Sequence, residues 1–130
     1  MHILTLRTDQ PQAEIGLFND EQQISYESWI AFRQLAETIH IKIKASLDVQ
    51  KLELKNLGGI VVYQGPGSFT GLRIGIAVVN ALAASLEVAI VGTTGDDWVK
   101  QGLRRLLNGE DSVIIIPEYG ALPNITAPRK

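Results

Sequence analysis

The chain has 130 residues, of which 45% are hydrophobic and 20% charged, the composition of one folded domain with its own core. Its formal net charge of −2 at pH 7 gives it no bulk attraction to nucleic acid. The sequence contains no cysteine, which excludes disulfides and thiolate metal sites.

Short apolar, β-rich runs alternate with longer helical patterns along the chain. The first three runs predict an antiparallel meander of strands, and the Asn19-Asp20 pair before the third is typical of a hairpin turn. The alternation of strands and helices that follows predicts an α/β fold. The predicted strands cover residues 2–6, 13–18, 22–26, 60–63, 88–91 and 113–116, and the predicted helices cover residues 29–47, 71–86 and a segment from a cap at Thr94 or Asp96 to about residue 107.

The first predicted helix, with Ser28 as its N-cap, has one apolar stripe and one mixed face. The stripe is interpreted as core, because its residues recur at helical spacing. The opposite face is charged but also carries Ile30 and Ile41. Two isoleucines among charges favour a partner-binding surface, although scattered exposed apolar residues are at least as common without any partner.

The second predicted helix, residues 71–86, is apolar nearly all round. Its only clearly polar side chains are Arg73, Asn80 and Ser85. A helix of this kind must be covered on every side, and in a small domain the sheet covers one side only. The remaining surface is therefore predicted to contact the first helix, a second copy of the chain or another protein.

The two ends of the chain and its longest apolar segment predict where the protein is located and where its domain ends. The first residues lack a signal-peptide pattern, so a cytoplasmic protein is expected. The apolar segment at 74–86 is shorter than a membrane span and contains Asn80, so no membrane association is expected. Residues 117–130 contain three prolines and are expected to form an extended or poorly ordered tail after a domain of residues 1–116.

A glycine-rich turn joins the strand at 60–63 to the second helix. Such turns bring backbone N–H groups to a helix N-terminus, where an anion is favoured. No lysine lies between residues 58 and 86, which excludes a Walker A loop, and Gly71 falls one residue late for a dinucleotide fingerprint. A structural turn and a phosphate cradle both remain open as interpretations.

Nine consecutive residues of this turn carry a family resemblance. Residues 65–73 match the signature of the TsaB (YeaZ) family at every position, and Gly75 follows in place. The resemblance extends more weakly over residues 1–98. It implies a ribonuclease-H-like lobe of the actin, Hsp70 and sugar-kinase superfamily, with a mixed five-stranded sheet and helices on its faces. Members usually continue into a second lobe, so a shortened form is implied. The signature-loop residues are Gly65, Pro66, Gly67, Ser68, Phe69, Thr70, Gly71 and Arg73.

The resemblance implies a non-catalytic scaffold subunit of the machinery that makes threonylcarbamoyladenosine in tRNA. The implied partners are a TsaD-like transferase, bound through the two apolar helices, and a TsaE-like ATPase. Contact with tRNA would be indirect, and a homodimer is expected in isolation. No cofactor is expected. The expected partner-binding residues are Ile30, Arg33, Glu37, Ile41, Ile76, Asn80, Ala81 and Ala84.

No catalytic or metal site is predicted. Chains that resemble this one commonly carry Asp at the end of the first strand, where this sequence has Arg7, and an arginine repels a cation. Ser68 has no evident histidine partner, and no His, Asp and Glu cluster has metal-binding spacing. Two alternatives stay open: a nucleotide-binding or protease-like enzyme of the same superfamily, and a self-associating domain of unknown role.

Overall fold

The computed structural model describes residues 1–31 and 34–119. Within these residues, a meander of three strands is followed by alternating helices and strands. A short 3-10 turn, Leu54–Asn56, precedes the fourth strand. The elements are β1 (His2–Arg7), β2 (Gln12–Asn19), β3 (Gln22–Ile30), α1 (Leu35–Val49), β4 (Leu57–Tyr63), α2 (Phe69–Leu86), β5 (Ala89–Thr93) and α3 (Trp98–Leu107).

The five strands form one mixed sheet in the order β3-β2-β1-β4-β5. β1, β2 and β3 pair antiparallel, whereas β4 pairs parallel with both β1 and β5. α1 and α2 contact each other and cover one face of the sheet, while α3 covers β4 and β5 on the other face. This architecture confirms the predicted α/β fold with a mixed five-stranded sheet and helices on its faces.

The centre of the core lies at β1 and β4, the third and fourth strands of the sheet, and β4 has helices on both faces. Their apolar side chains are fully buried, and this explains the continuous apolar run of β4, since alternation is lost when both faces are covered. On the α3 side, Gly102 lies so close to Val61 that a Cβ atom at residue 102 would overlap the valine side chain. A glycine in α3 thus lets the helix approach the sheet closely.

The predicted start of the first helix is wrong. Trp29 and Ile30 belong to β3, where they pair with Ala13 and Gln12 of β2, so Ser28 is a strand residue and not an N-cap. The Trp29 indole N–H donates a 3.0 Å hydrogen bond to the Thr38 hydroxyl of α1. Cross-strand pairing extends β3 by four residues and outweighs the local cap signal.

The predicted last strand, residues 113–116, is also wrong: the structure places this run outside any strand. The backbone edge of β5 is already occupied, because Asp111 and Ser112 bond to Ile90 and the Arg105 guanidinium donates to Gly92 O. The backbone groups of β5 that a sixth strand would pair with are therefore already hydrogen-bonded. Residues 120–130 of the predicted tail lie outside the described residues.

α2 begins two residues earlier than predicted and has 18 residues, so the expectation that this segment is too short for a membrane span is wrong by length and composition. Its large apolar side chains nevertheless contact the sheet. Leu72, Ile76 and Val79 recur on one face at helical spacing and are buried in the domain core. α2 thus packs as a core helix of this domain.

Candidate functional site

The glycine turn between β4 and α2 is closely packed at its first residues. Gly65 has a φ of +122°, a conformation that L side chains rarely adopt, and the bond to Pro66 is cis. The Tyr63 hydroxyl donates a 2.9 Å hydrogen bond to Pro66 O. A Cβ atom at Gly65 would also collide with the backbone oxygen of Glu118. Only glycine satisfies both requirements.

The later glycines of the turn pack against the residues that follow β1. A Cβ atom at Gly67 would overlap the Asp9 side chain, and one at Gly71 would overlap the backbone oxygen of Thr8. Ser68 N–H donates to Asp9 O at 3.2 Å. The glycines therefore permit close contact with the β1 end, which favours the structural interpretation of the turn.

A phosphate beside this turn would meet an acidic group. A cavity of about 210 Å³ remains there, and its lining includes Asp9 and Thr70. The Asp9 side chain is almost fully buried, and its carboxylate, which only accepts hydrogen bonds, offers no donor to a phosphate. The geometry thus disfavours the phosphate cradle that the sequence left open.

Arg7 neutralises Asp9 at the end of β1. Its Nε–H and Nη2–H donate to the two Asp9 carboxylate oxygens at 2.7 and 3.2 Å, and its guanidinium lies 3.9 Å from the centroid of the Tyr63 ring. The hydrogen bond to Asp9 raises the pKa of Arg7, and burial raises the pKa of the Tyr63 phenol. Within residues 1–31 and 34–119, no three His, Asp or Glu side chains converge as a metal site would require.

A second cavity, of about 720 Å³, lies on the α3 face of the sheet, beside β2 and β3. Its lining mixes basic side chains such as Arg104 with acidic ones such as Asp97. The Tyr26 hydroxyl donates a 2.6 Å hydrogen bond to the Glu14 carboxylate. Burial raises the pKa of Tyr26 most, and this hydrogen bond raises it further. Charges of both signs give this cavity no clear preference for a ligand.

An apolar groove between α1 and α2 is the clearest candidate for binding a partner. It encloses about 610 Å³, and its floor is formed by aliphatic side chains from α1, α2 and the connection to β4. Charged side chains, among them Lys44 and Asp48, lie at its rim. An apolar floor with a polar rim is the anatomy of a protein interface. The apolar side chains are Ile43, Leu47, Leu52, Leu54, Val78, Ala81 and Leu82.

Four of the predicted partner-binding residues lie exposed on these two helices. Ile41 of α1 is 66% exposed and shares its helix surface with Glu37. Ala81 and Ala84 belong to an exposed stripe of α2 that also includes Ala77. Their role in binding remains a prediction.

Of the other predicted residues, Ile76 is buried in α2 and Ile30 lies on a strand. Ile76 is 2% exposed and belongs to the core, so its prediction as a partner-binding residue is wrong. Ile30 is exposed at the end of β3, an edge strand, and not on α1. Asn80 bonds to the backbone of Ile115 in its own chain. Arg33 lies outside the described residues.

The sequence analysis missed Leu52 and Leu54, which extend the groove beyond α1. They lie in the connection between α1 and β4, and Leu54 is exposed. Two leucines separated by one residue, within a run that is otherwise polar, were the available signal.

Comparisons with known proteins point to one family. A family model described as TsaD, tRNA N6-adenosine threonylcarbamoyltransferase, matches residues 29–94, half of the chain. The matched segment contains α1, the glycine turn and α2. The chain is therefore similar to this family in the region that forms both the turn and the groove.

Individual relatives cover the chain to different extents. The tRNA threonylcarbamoyladenosine biosynthesis protein TsaB of Escherichia coli strain K12 is 27% identical over 118 residues, or 86% of the chain and 51% of the relative. The tRNA N6-adenosine threonylcarbamoyltransferase of Geotalea daltonii is 40% identical over 63 residues, or 48% of the chain and 18% of the relative.

One solved structure, described as an uncharacterized protein with similarity to peptidase YeaZ from Pseudomonas aeruginosa, is similar in fold. It superposes with a TM-score of 0.69 at 25% identity, over 83% of this chain and 49% of that one. The chain thus spans about half the length of this structure and of the E. coli relative.

Proposed function

Because the chain belongs to the TsaB (YeaZ) family, we propose that it is a non-catalytic subunit of the machinery that makes threonylcarbamoyladenosine in tRNA. The E. coli relative is named as a biosynthesis protein for this nucleoside. The proposed role is to bind a TsaD-like transferase in the cytoplasm, with a TsaE-like ATPase as a further partner. Contact with tRNA is proposed to be indirect, since the net charge of −2 offers little attraction to phosphates.

The observation that carries this proposal is the uncovered apolar surface of α1 and α2. The groove of about 610 Å³ lies between α1, which also exposes Ile41, and α2, whose exposed Ala81 lines it. Small side chains such as Ala77 and Ala81 let another helix approach closely. A stable interface on this surface would bury about 800 Å² per partner.

The identity of the proposed partner follows from similarity between the two proteins. A transferase of the TsaD type is 40% identical to this chain over 63 residues. Related lobes can pair through equivalent helices, much as two identical copies do in an isologous dimer. The same surface is therefore proposed to form a homodimer when the transferase is absent.

The non-catalytic assignment is supported by the chemistry at the end of β1. Arg7 and Asp9 form an ion pair where a catalytic centre of this superfamily would need free carboxylates, and the glycine turn packs directly on Thr8 and Asp9. Calorimetric titration with ATP is expected to detect no binding. Tight ATP binding by the isolated chain would contradict this assignment and favour a nucleotide-binding enzyme.

Binding to a TsaD-like transferase provides the test of the surface. Ala81→Arg places a charge in the groove at an exposed position, so the domain is expected to fold while the affinity falls at least about tenfold. Leu107→Arg is the matched control, because Leu107 is an exposed apolar residue of α3 on the opposite face of the sheet. Equal affinities of both variants and the parent chain would contradict the proposed surface.

A further inference from the structure

Residues 111–119, which we call the C-terminal strap, are held along one flank of α2. The Asn80 amide donates to Ile115 O and accepts from Ile115 N–H, both at 2.9 Å, and so satisfies both backbone groups of one residue. At the far end of the strap, the Tyr119 ring stacks on Phe69 with centroids 4.3 Å apart. Phe69 and Asn80 are eleven residues apart, about three helical turns, so both anchors lie on the same flank of the helix.

The end of β4 and the edge of β5 hold the strap from its other side. The Gln64 side chain donates to Ile116 O at 2.9 Å, and Glu118 N–H donates to Gln64 O at 2.8 Å. Near the beginning of the strap, Ser112 N–H donates to Ile90 O at 2.8 Å. The strap is therefore a fixed part of the surface of its own domain.

The fixed strap leaves aliphatic side chains in solvent. Ile115 is 4% exposed, whereas its neighbours Ile114 and Ile116 are 66% and 72% exposed, and Val113 is 66% exposed. The run from Val113 to Pro117 contains no charged residue. Exposed aliphatic side chains that cluster on a fixed backbone indicate an interaction surface, whereas scattered ones do not.

The strap lies on the flank of α2 that carries exposed alanines. Ala77 precedes Asn80 by three residues and Ala84 follows it by four, the spacings that place residues on one face of a helix. Both alanines are exposed. Val78 and Leu82, two residues before and after Asn80, line the apolar groove, so the groove and the strap lie on opposite flanks of α2. The exposed alanines lie between these two apolar surfaces.

The groove by itself is too small for a stable protein interface. Eleven of the described residues line it, whereas about 20–30 residues on each side form an interface of standard size. A partner seated on the groove must therefore cover surface beyond it. The exposed surface of α1 adds Ile41 among charges such as Glu37 and Lys44, whereas residues 113–117 carry no charge. Because charged residues are depleted in the core of an interface, the interface is expected to extend past α2 to the strap.

We propose that the C-terminal strap is part of the surface that binds the TsaD-like transferase, with Ile114 and Ile116 as contact residues and Asn80 as the residue that positions them. This inference rests on the proposed function, because one partner covers both the groove and the strap. A helix packed on the alanines of α2 lies about 8–10 Å from its axis and so reaches side chains on both flanks. Asn80 acts through the strap and does not itself touch the partner.

Affinity for a TsaD-like transferase tests the strap separately from the groove. Ile116→Arg adds a charge at a 72% exposed position, so the domain is expected to fold while the affinity falls at least about tenfold. Leu107→Arg, at an exposed aliphatic residue of α3, is the matched control and is expected to bind like the parent chain. Ala81→Arg, which places the charge in the groove, is measured beside them.

The pattern of affinities separates this inference from the proposed function. Weaker binding by Ile116→Arg with unchanged binding by Leu107→Arg supports the strap surface. If Ala81→Arg weakens binding and Ile116→Arg does not, the strap surface is overturned and the proposed function stands. Equal weakening by Leu107→Arg overturns the strap surface, because the charge then acts regardless of its position. If the parent chain does not bind the transferase, the inference and the proposed function are both overturned.

Asn80→Ala tests the positioning role by two measurements. Loss of both hydrogen bonds should accelerate amide hydrogen exchange at Ile115 at least about tenfold, with exchange in β4 unchanged, and the affinity for the transferase should fall. In a chain that already carries Ile114→Ser and Ile116→Ser, adding Asn80→Ala should lower the affinity no further, because the side chains that it positions are gone. Full affinity despite fast exchange at Ile115, or an additive loss of affinity, would overturn the positioning role.

Discussion

The Thr8 hydroxyl donates a 2.7 Å hydrogen bond to Gly71 O and joins the turn after β1 to the first turn of α2. The bond forms because Gly71 has no side chain to separate the two backbones. The most distinctive stretch of the sequence is therefore a device for close packing. It sets the position of α2, and with it the surface that α2 shares with α1.

Gly71→Ala is expected to destabilise the protein. In an exposed helix this change would stabilise by about 0.5–1 kcal/mol, but here the added methyl group would overlap the Thr8 backbone oxygen. Overpacking against a backbone atom costs about 1–3 kcal/mol, so the free energy of unfolding in urea should fall by that order. A stability equal to or above that of the parent chain would contradict the close-packing role.

The Arg7–Asp9 pair is expected to stabilise the end of β1 as a unit. Arg7→Ala leaves the nearly buried Asp9 carboxylate without its cation, so the free energy of unfolding should fall by about 2–4 kcal/mol. Adding Asp9→Asn to this variant should recover part of the loss, because the unpaired charge is then removed. Strictly additive effects in this double-mutant cycle, measured by urea unfolding at pH 7, would show that the two residues do not interact.

The stability of the protein is expected to fall in strongly alkaline solution. Burial and the bond to Glu14 raise the pKa of Tyr26 in the folded state, whereas an unfolded tyrosine ionises at about pH 10. The folded state therefore retains this proton longer, and the contribution of Tyr26 is complete below about pH 10 and declines above it. Urea unfolding measured between about pH 9 and pH 11 should show a smaller decline for Tyr26→Phe than for the parent chain.

An identical decline in the two proteins would mean that Tyr26 does not carry the effect. Some decline should persist in Tyr26→Phe in any case, since burial also raises the pKa of Tyr63.

The sequence predicted the sheet, the helices and the glycine turn because these rest on local patterns. Apolar runs predicted β1, β2 and β4, and the residues of the glycine turn predicted the start of α2. Ile76 was misjudged because an all-apolar helix does not reveal which side meets the sheet. The inner side follows from the large side chains, and the outer side carries alanines.

Long-range contacts account for the remaining errors. Trp29 belongs to β3 because it pairs with Ala13 of β2. The residues around Ser28 give no indication of this pairing, because Ala13 lies far away in the sequence. Likewise, Ile115 entered a groove formed by Asn80, 35 residues earlier, and so the run at 113–116 did not become a strand. Both outcomes depend on partners far away in the sequence.

Oxidative footprinting of the chain with and without a TsaD-like transferase tests the central claim most directly. Ile41 on α1 and Leu107 on α3 are both exposed apolar side chains, on opposite faces of the sheet, so each serves as the control of the other. The account predicts that the transferase protects Ile41 from oxidation and leaves Leu107 unchanged. Protection of Leu107 with Ile41 unchanged would contradict it.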